Sequence, residues 1–273
     1  MVLENKTDRA GDSPSPSTRR AVKIEVRPLA GALGAEILGP DLTRPLGDSE
    51  FADIHQAFLD YLVVFIAQKK PITPDQQTIF AARLGEVDLE PFGYPFKLPT
   101  VPGYPQFLLS VKEAGDRSFN VSGFWHADET CRERPHKAAV IYARDVPSHG
   151  GGMMFANQYL AYETLSQGMQ EMLTRLRAVH GSDMRYGGES ARFASVSRTM
   201  APKTEGVFGA ERFRVHAAYP RTIENEHPLV RTHPETGRKG LNVNRSFTSR
   251  FSGMTVEESR PLLEYLWEHF TTP

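Results

Sequence analysis

The segment Phe124-Trp125-His126-Ala127-Asp128 carries an imidazole and a carboxylate two residues apart. In an extended chain successive side chains alternate between faces, so residues at this spacing point the same way and can converge on one ion. Two histidines and one carboxylate in a facial arrangement leave open positions on Fe(II) for a chelating cosubstrate and oxygen, and this pair supplies two of those three ligands. On residue type alone a His-x-Asp pair also describes a surface or capping pair, so its surroundings must decide between the two.

Those surroundings are extended. Residues 107–111, 138–143 and 153–155 are apolar runs too short for helices, separated by Pro and Gly clusters, which predicts strands. Further out the period changes. Asp48 precedes Phe51, Ile54, Phe58 and Leu62 at near-helical spacing, and Val63-Val64-Phe65-Ile66 then predicts a buried strand. Thr73-Pro74 is a cap followed by a first-turn proline, opening a short helix whose apolar face, Ile79, Phe80 and Leu84, stops near Gly85. Residues 159–179 return to a helical period broken at Ser166-Gln167-Gly168. Residues 228–244 predict two strands joined by the turn Pro234-Glu235-Thr236-Gly237, and Thr255 with Glu258 in capping-box spacing begins a last helix through Leu262, Leu263, Leu266 and Phe270. Alternation at Val22, Ile24 and Val26 predicts the first strand. Residues 1–20, dominated by Asn, Asp, Ser, Pro, Gly and Arg, predict a disordered tail. The class is α+β, with residues 21–273 as one domain.

Composition narrows the partners. Of 273 residues, 40% are hydrophobic and 24% charged, and 32 Lys+Arg against 33 Asp+Glu leave a net charge of -1, so there is no field to hold a polyanion or an anionic membrane surface. A small-molecule substrate is the expected partner, with no nucleic acid and no membrane; homo-oligomerisation stays open. The single cysteine, Cys131, cannot make an intrachain disulfide, and neither a secretory signal nor an apolar run of spanning length is present, so a cytoplasmic location is expected.

Several blocks occur in an order that resembles a known family. Phe124-Trp125-His126-Ala127-Asp128 is followed by Ile141-Tyr142-Ala143-Arg144-Asp145-Val146-Pro147, by Phe155-Ala156-Asn157 and by Ala161-Tyr162-Glu163-Thr164-Leu165-Ser166. Asp41-Leu42-Thr43-Arg44-Pro45-Leu46 lies before them. His227-Pro228-Leu229-Val230-Arg231-Thr232-His233-Pro234 and Val243-Asn244-Arg245-Ser246-Phe247-Thr248 lie after them. In these blocks the chain is similar to the taurine dioxygenase (TauD/TfdA) family. The resemblance implies a double-stranded β-helix, or jelly roll, flanked by helices. It implies a dioxygenase that uses Fe(II), 2-oxoglutarate and O2 to hydroxylate a small polar organic substrate with release of succinate and CO2. By the same resemblance His126 and Asp128 are iron ligands, and Asp128 argues against halogenation, because family-like halogenases carry a small residue there.

A gapless match from His126 to His180 puts Ser122 where taurine enzymes carry an asparagine, and Arg185 and Tyr186 where they carry a serine and a phenylalanine. Glu90 falls where they use a histidine against the sulfonate, with Tyr94 nearby. These five residues are the expected substrate contacts. A carboxylate facing a sulfonate is repulsive, which disfavours taurine; Glu90 and Arg185 can instead receive the ammonium and carboxylate of an amino-acid-like zwitterion, or simply pair with each other or with solvent.

Two departures bear on the site. Family members continue past the helix matched by Thr255 to Phe270 into strands with a Trp-Asp-Asn-Arg segment, a third ligand histidine and the arginine that holds the 2-oxoglutarate carboxylate. Neither Trp125 nor Trp267 is followed by Asp-Asn, so the domain is expected to be C-terminally incomplete, with those strands missing and half the metal site present. The alternative to an active oxygenase is therefore a truncated or non-catalytic member that keeps the fold. His227 and His233 match the family's hairpin and not its ligand. The second departure is Gly150-Gly151-Gly152-Met153, where the family usually has Gly-Gly-Asp-Thr with the threonine on the cosubstrate carboxylate. Met153 cannot donate that bond, a loss of about 1.5–3 kcal/mol; its other reading is a filler of a core gap.

Overall fold

The computed structural model describes residues 24–88, 100–111, 125–182 and 223–271. Near the start, β1 (Glu25–Pro28) pairs antiparallel with β2 (Ala35–Leu38), and β2 pairs parallel with β3 (Val64–Ile66). A parallel pair needs a crossover, and α1 (Asp48–Tyr61) provides it, burying Phe51, Ile54 and Ala57. Ile37, Ile54 and Ala57 form a small core to which Val26, Val64, Ile66 and Phe80 add their side chains. The strand expected at 63–66 is present but only half-buried. Val64 and Ile66 face this core, so by alternation Phe65 points the other way and is exposed.

α2 (Pro74–Leu84) begins at a complete capping box: Thr73 Oγ1 accepts from Gln76 N at 3.3 Å and Gln76 Oε1 accepts from Thr73 N at 2.8 Å. β4 (Thr100–Val101) and β5 (Tyr104–Leu108) then make a hairpin, so the strand expected at 107–111 sits toward the N-terminal side of that run. The runs 138–143 and 153–155 form no ladder among the described residues, which corrects the expectation of strands there. Ile141, Met153, Met154 and Phe155 are exposed. An apolar run states a need for burial, whereas a strand is defined by the neighbour that accepts and donates its hydrogen bonds.

The larger core lies in the second half. α3 (Gln158–Glu163) and α4 (Gln167–Thr174) are capped by the side chains of Asn157 and Ser166, so the predicted break at Ser166 falls between two helices. β6 (Arg177–Gly181) follows, although its residues continue the helical period. It is the central strand of an antiparallel sheet ordered β10-β6-β7, with β7 (Glu224–Pro228) and β10 (Thr248–Phe251). Pairing on both edges overrides the local pattern. β8 (Val230–Thr232) and β9 (Lys239–Leu241) form the expected hairpin, and Gly237 takes φ +69° in its turn, a conformation that favours glycine.

α5 (Val256–His269), capped by Thr255 and Glu258, closes this core with Leu263 and Leu266 against Leu173, Ala178, Leu229, Leu241, Val243 and Phe251. Leu266 is fully buried, so Leu266→Ala is expected to cost about 2–5 kcal/mol of stability, read as a lowered urea midpoint. An unchanged midpoint would mean that α5 does not dock as described. The two halves are joined through the middle segment: Gln77 Nε2 donates to Val140 O at 3.0 Å and Asn157 Nδ2 to Ala32 O at 2.6 Å.

Candidate metal centre

His126 Nε2 lies 3.4 Å from Asp128 Oδ1. Bonds of about 2.1 Å to one ion place donors about 3.0 Å apart at right angles and about 3.4 Å apart at a tetrahedral angle. The two atoms therefore fit a single divalent ion with little adjustment, and a neutral imidazole with a carboxylate suits Fe(II) chemically. The imidazole is largely buried, at 18% side-chain exposure, and the carboxylate is open, at 59%. An ion between them would have protein on the histidine side and the exposed carboxylate on the other. Among the described residues no third His, Cys, Asp or Glu gathers with them.

The backbone that carries the pair is held in an uncommon shape. Glu129, directly after Asp128, has φ +53°, a left-handed conformation that costs a non-glycine residue about 1 kcal/mol. Such a residue persists where its surroundings over-determine it. The Glu129 carboxylate is 2% exposed and bonds Arg132 Nε at 2.6 Å. Burial pushes this carboxyl up, and the Arg132 guanidinium opposes the shift. Arg132 Nη1 also reaches Asp88 Oδ2 at 2.9 Å, and His136 Nε2 meets the same oxygen at 2.9 Å.

Beneath the turn, the sheet supplies a platform. Alternation along β7 puts Asn225 and His227 on one face, where Asn225 Nδ2 donates to Cys131 O at 2.7 Å and His227 Nε2 to Arg132 O at 2.9 Å. Ser246 Oγ donates to Trp125 O at 3.3 Å. Thr130 Oγ1 accepts from Asn244 Nδ2 at 3.0 Å and lies 2.9 Å from His180 Nδ1. His180 is fully buried on β6, and burial, reinforced by the nearby His227, lowers its pKa to about 3; the Asn242 backbone opposes this weakly. It is a neutral imidazole at neutral pH.

Glu90, Tyr94, Ser122, Arg185 and Tyr186, the expected substrate contacts, lie outside the described residues, as does the tail at 1–20. His227 is engaged with the Arg132 carbonyl, and His233 Nδ1 accepts from Glu235 N and Thr236 N in the β8–β9 turn. Met153 fills no core gap. It is 61% exposed, which corrects that reading. Thr130, His180 and Asn244 do not stand out in the sequence as parts of a site. A signal for one of them exists: a histidine between Val179 and Gly181 in an apolar run must find a buried partner.

With this geometry in place, comparison with known proteins is specific. Residues 25–273 match the model of the taurine catabolism dioxygenase TauD, TfdA family, and the chain belongs to that family. Its enzymes are 2-oxoglutarate-dependent dioxygenases that use Fe(II), 2-oxoglutarate and O2. An alkylsulfatase of Acinetobacter baylyi is 30% identical over 254 residues, covering 92% of this chain and 72% of the relative. An alpha-ketoglutarate-dependent sulfate ester dioxygenase of Pseudomonas putida is 30% identical over 252 residues, covering 92% and 76%. The crystal structure of a taurine dioxygenase from Burkholderia xenovorans superposes with a TM-score of 0.66 at 34% identity, covering 92% of this chain and 73% of that one. Neighbours of this kind are jelly-roll folds, in keeping with the mixed helices and sheets seen here.

Proposed function

We propose that this chain holds Fe(II) through His126 Nε2 and Asp128 Oδ1 and hydroxylates a small polar organic substrate that carries an anionic group. The observation that supports it most directly is the 3.4 Å approach of these two atoms on a turn fixed from below. Bound Fe(II) supplies the oxidising chemistry, in which 2-oxoglutarate and O2 are converted to succinate and CO2 and one oxygen atom goes to the substrate. His126 offers Nε2 from the protein side. Asp128 brings the negative charge that partly neutralises the ion, and its exposure leaves the remaining positions facing solvent. Among the described residues no third donor joins the pair.

The relatives named for alkyl sulfates and sulfate esters favour an organic anion, and Arg185 is the residue we assign to it. Glu90 then receives the ammonium of an amino-acid-like zwitterion, and Tyr94, Ser122 and Tyr186 line the remainder. Succinate formation across a panel of taurine, alkyl sulfates and amino acids tests this. Amino acids and their derivatives are expected to turn over faster than taurine, and Arg185→Gln to lower kcat/KM on anionic substrates about tenfold to a hundredfold, the worth of a hydrogen bond to a charged group. Taurine as the fastest substrate would overturn the proposal for Glu90. A panel profile unchanged in both Glu90→Gln and Arg185→Gln would remove both residues from the pocket.

A further inference from the structure

We propose that Thr130 is a positioning residue for the metal pair: its buried hydroxyl, held between His180 and Asn244, locks the turn that presents Asp128. This rests on the reading of His126 and Asp128 as metal ligands. The turn runs from the ligand carboxylate through left-handed Glu129, itself held by Arg132, directly to Thr130, whose side chain ties the C-terminal side of Asp128 to the sheet.

Both partners of the hydroxyl are buried and bonded to further groups. His180 on β6 stands in register with Thr248 on β10, whose Oγ1 lies 3.4 Å from the same Nδ1 that meets Thr130. Asn244 is held by four further bonds: its Oδ1 accepts from Ser246 N at 3.1 Å and Phe247 N at 3.0 Å, its own N donates to Thr248 Oγ1 at 3.0 Å, and its O accepts from Thr248 N at 3.0 Å. Thr130 is 5% exposed, Asn244 4% and His180 0%, so water does not replace a lost bond without entering the core. The hydroxyl can accept from Asn244 and still share one hydrogen bond with His180 Nδ1, which uses its capacity well. On the other side of the pair, the Trp125 carbonyl is fixed by Ser246, a neighbour of Asn244. The 244–248 segment thus clamps the backbone on both sides of His126 and Asp128. Donor atoms must be held within about 0.5 Å for a site to bind well, and a strained residue beside the ligand makes that alignment depend on the next anchor.

Mn(II) binding to the whole 273-residue chain tests this, with bound ion read from the loss of the sharp paramagnetic resonance signal of aqueous Mn(II). Wild-type protein is expected to bind and His126→Ala not to. Thr130→Val, which keeps the volume and removes the hydroxyl, is expected to weaken Mn(II) binding on the order of tenfold, as loss of a supporting bond behind a ligand typically does, and Thr130→Ser to restore it. A merely structural hydroxyl would lower the melting temperature of the metal-free protein and leave the affinity of the folded protein unchanged. That outcome overturns the proposal while the metal reading stands. No binding by the wild type overturns both the metal reading and the proposal for this 273-residue chain. Should Thr130→Val not fold, Thr130→Cys takes its place, with a thiol that bonds only weakly and the same expected loss.

Discussion

In protein that also carries the family's third ligand and 2-oxoglutarate arginine, His126→Ala and Asp128→Ala are each expected to abolish Fe(II)-dependent 2-oxoglutarate consumption. The two donor atoms stand 3.4 Å apart, and removing either leaves this segment with a single point of attachment for the ion. Losing a donor to the ion is expected to cost at least as much as losing a supporting contact behind one, on the order of a hundredfold in affinity, before any effect on turnover. Asp128→Asn is the more informative partner, because it keeps the shape and removes only the charge that matches a divalent ion. Succinate release and Mn(II) affinity check both variants, with circular dichroism to show that they are folded. Full activity in His126→Ala would sink the assignment. A structural role for the pair predicts instead a lower melting temperature with no selective effect on metal.

Acidification is expected to destabilise the protein through His180. In the unfolded chain this imidazole takes up a proton near 6.5, whereas in the fold burial delays protonation to about 3. Between those values the unfolded state binds the extra proton. Its contribution is therefore fully present above about pH 6.5 and is lost as pH falls toward 3, at about 1.4 kcal/mol per pH unit and on the order of 5 kcal/mol in all. His180→Gln keeps a polar group facing Thr130 but does not titrate in this range. Urea midpoints at several pH values between 7 and 4 separate its effect from that of carboxylates such as Asp41 and Glu258, whose pKa values are lowered by hydrogen bonds from Thr43 and Thr255. The stability advantage of wild type over His180→Gln is expected to shrink steadily as pH falls. Parallel loss in the two proteins would show that His180 is not the group responsible.

Local chemistry is legible in the amino-acid order itself. The box of Thr73 and Gln76, the box of Thr255 and Glu258, the Asn and Ser caps before α3 and α4, and the glycine turn at Gly237 each involve groups within about four residues. A backbone with two soft dihedrals per residue offers few alternatives at that range. The spacing of His126 and Asp128 is also visible in the sequence, but the structure brings the two together at a turn and not along a strand. What only the tertiary structure decided involves partners far along the chain. Residues 177–179 continue a helical pattern yet form β6, because β7 and β10 complete their hydrogen bonds. Residues 138–143 and 153–155 have the composition of strands and no ladder among the described residues. Thr130 meets His180 across 50 residues and Asn244 across 114. A polar side chain announces that it needs a partner when buried, but which partner it finds depends on loop closures whose cost and geometry no short window of sequence contains.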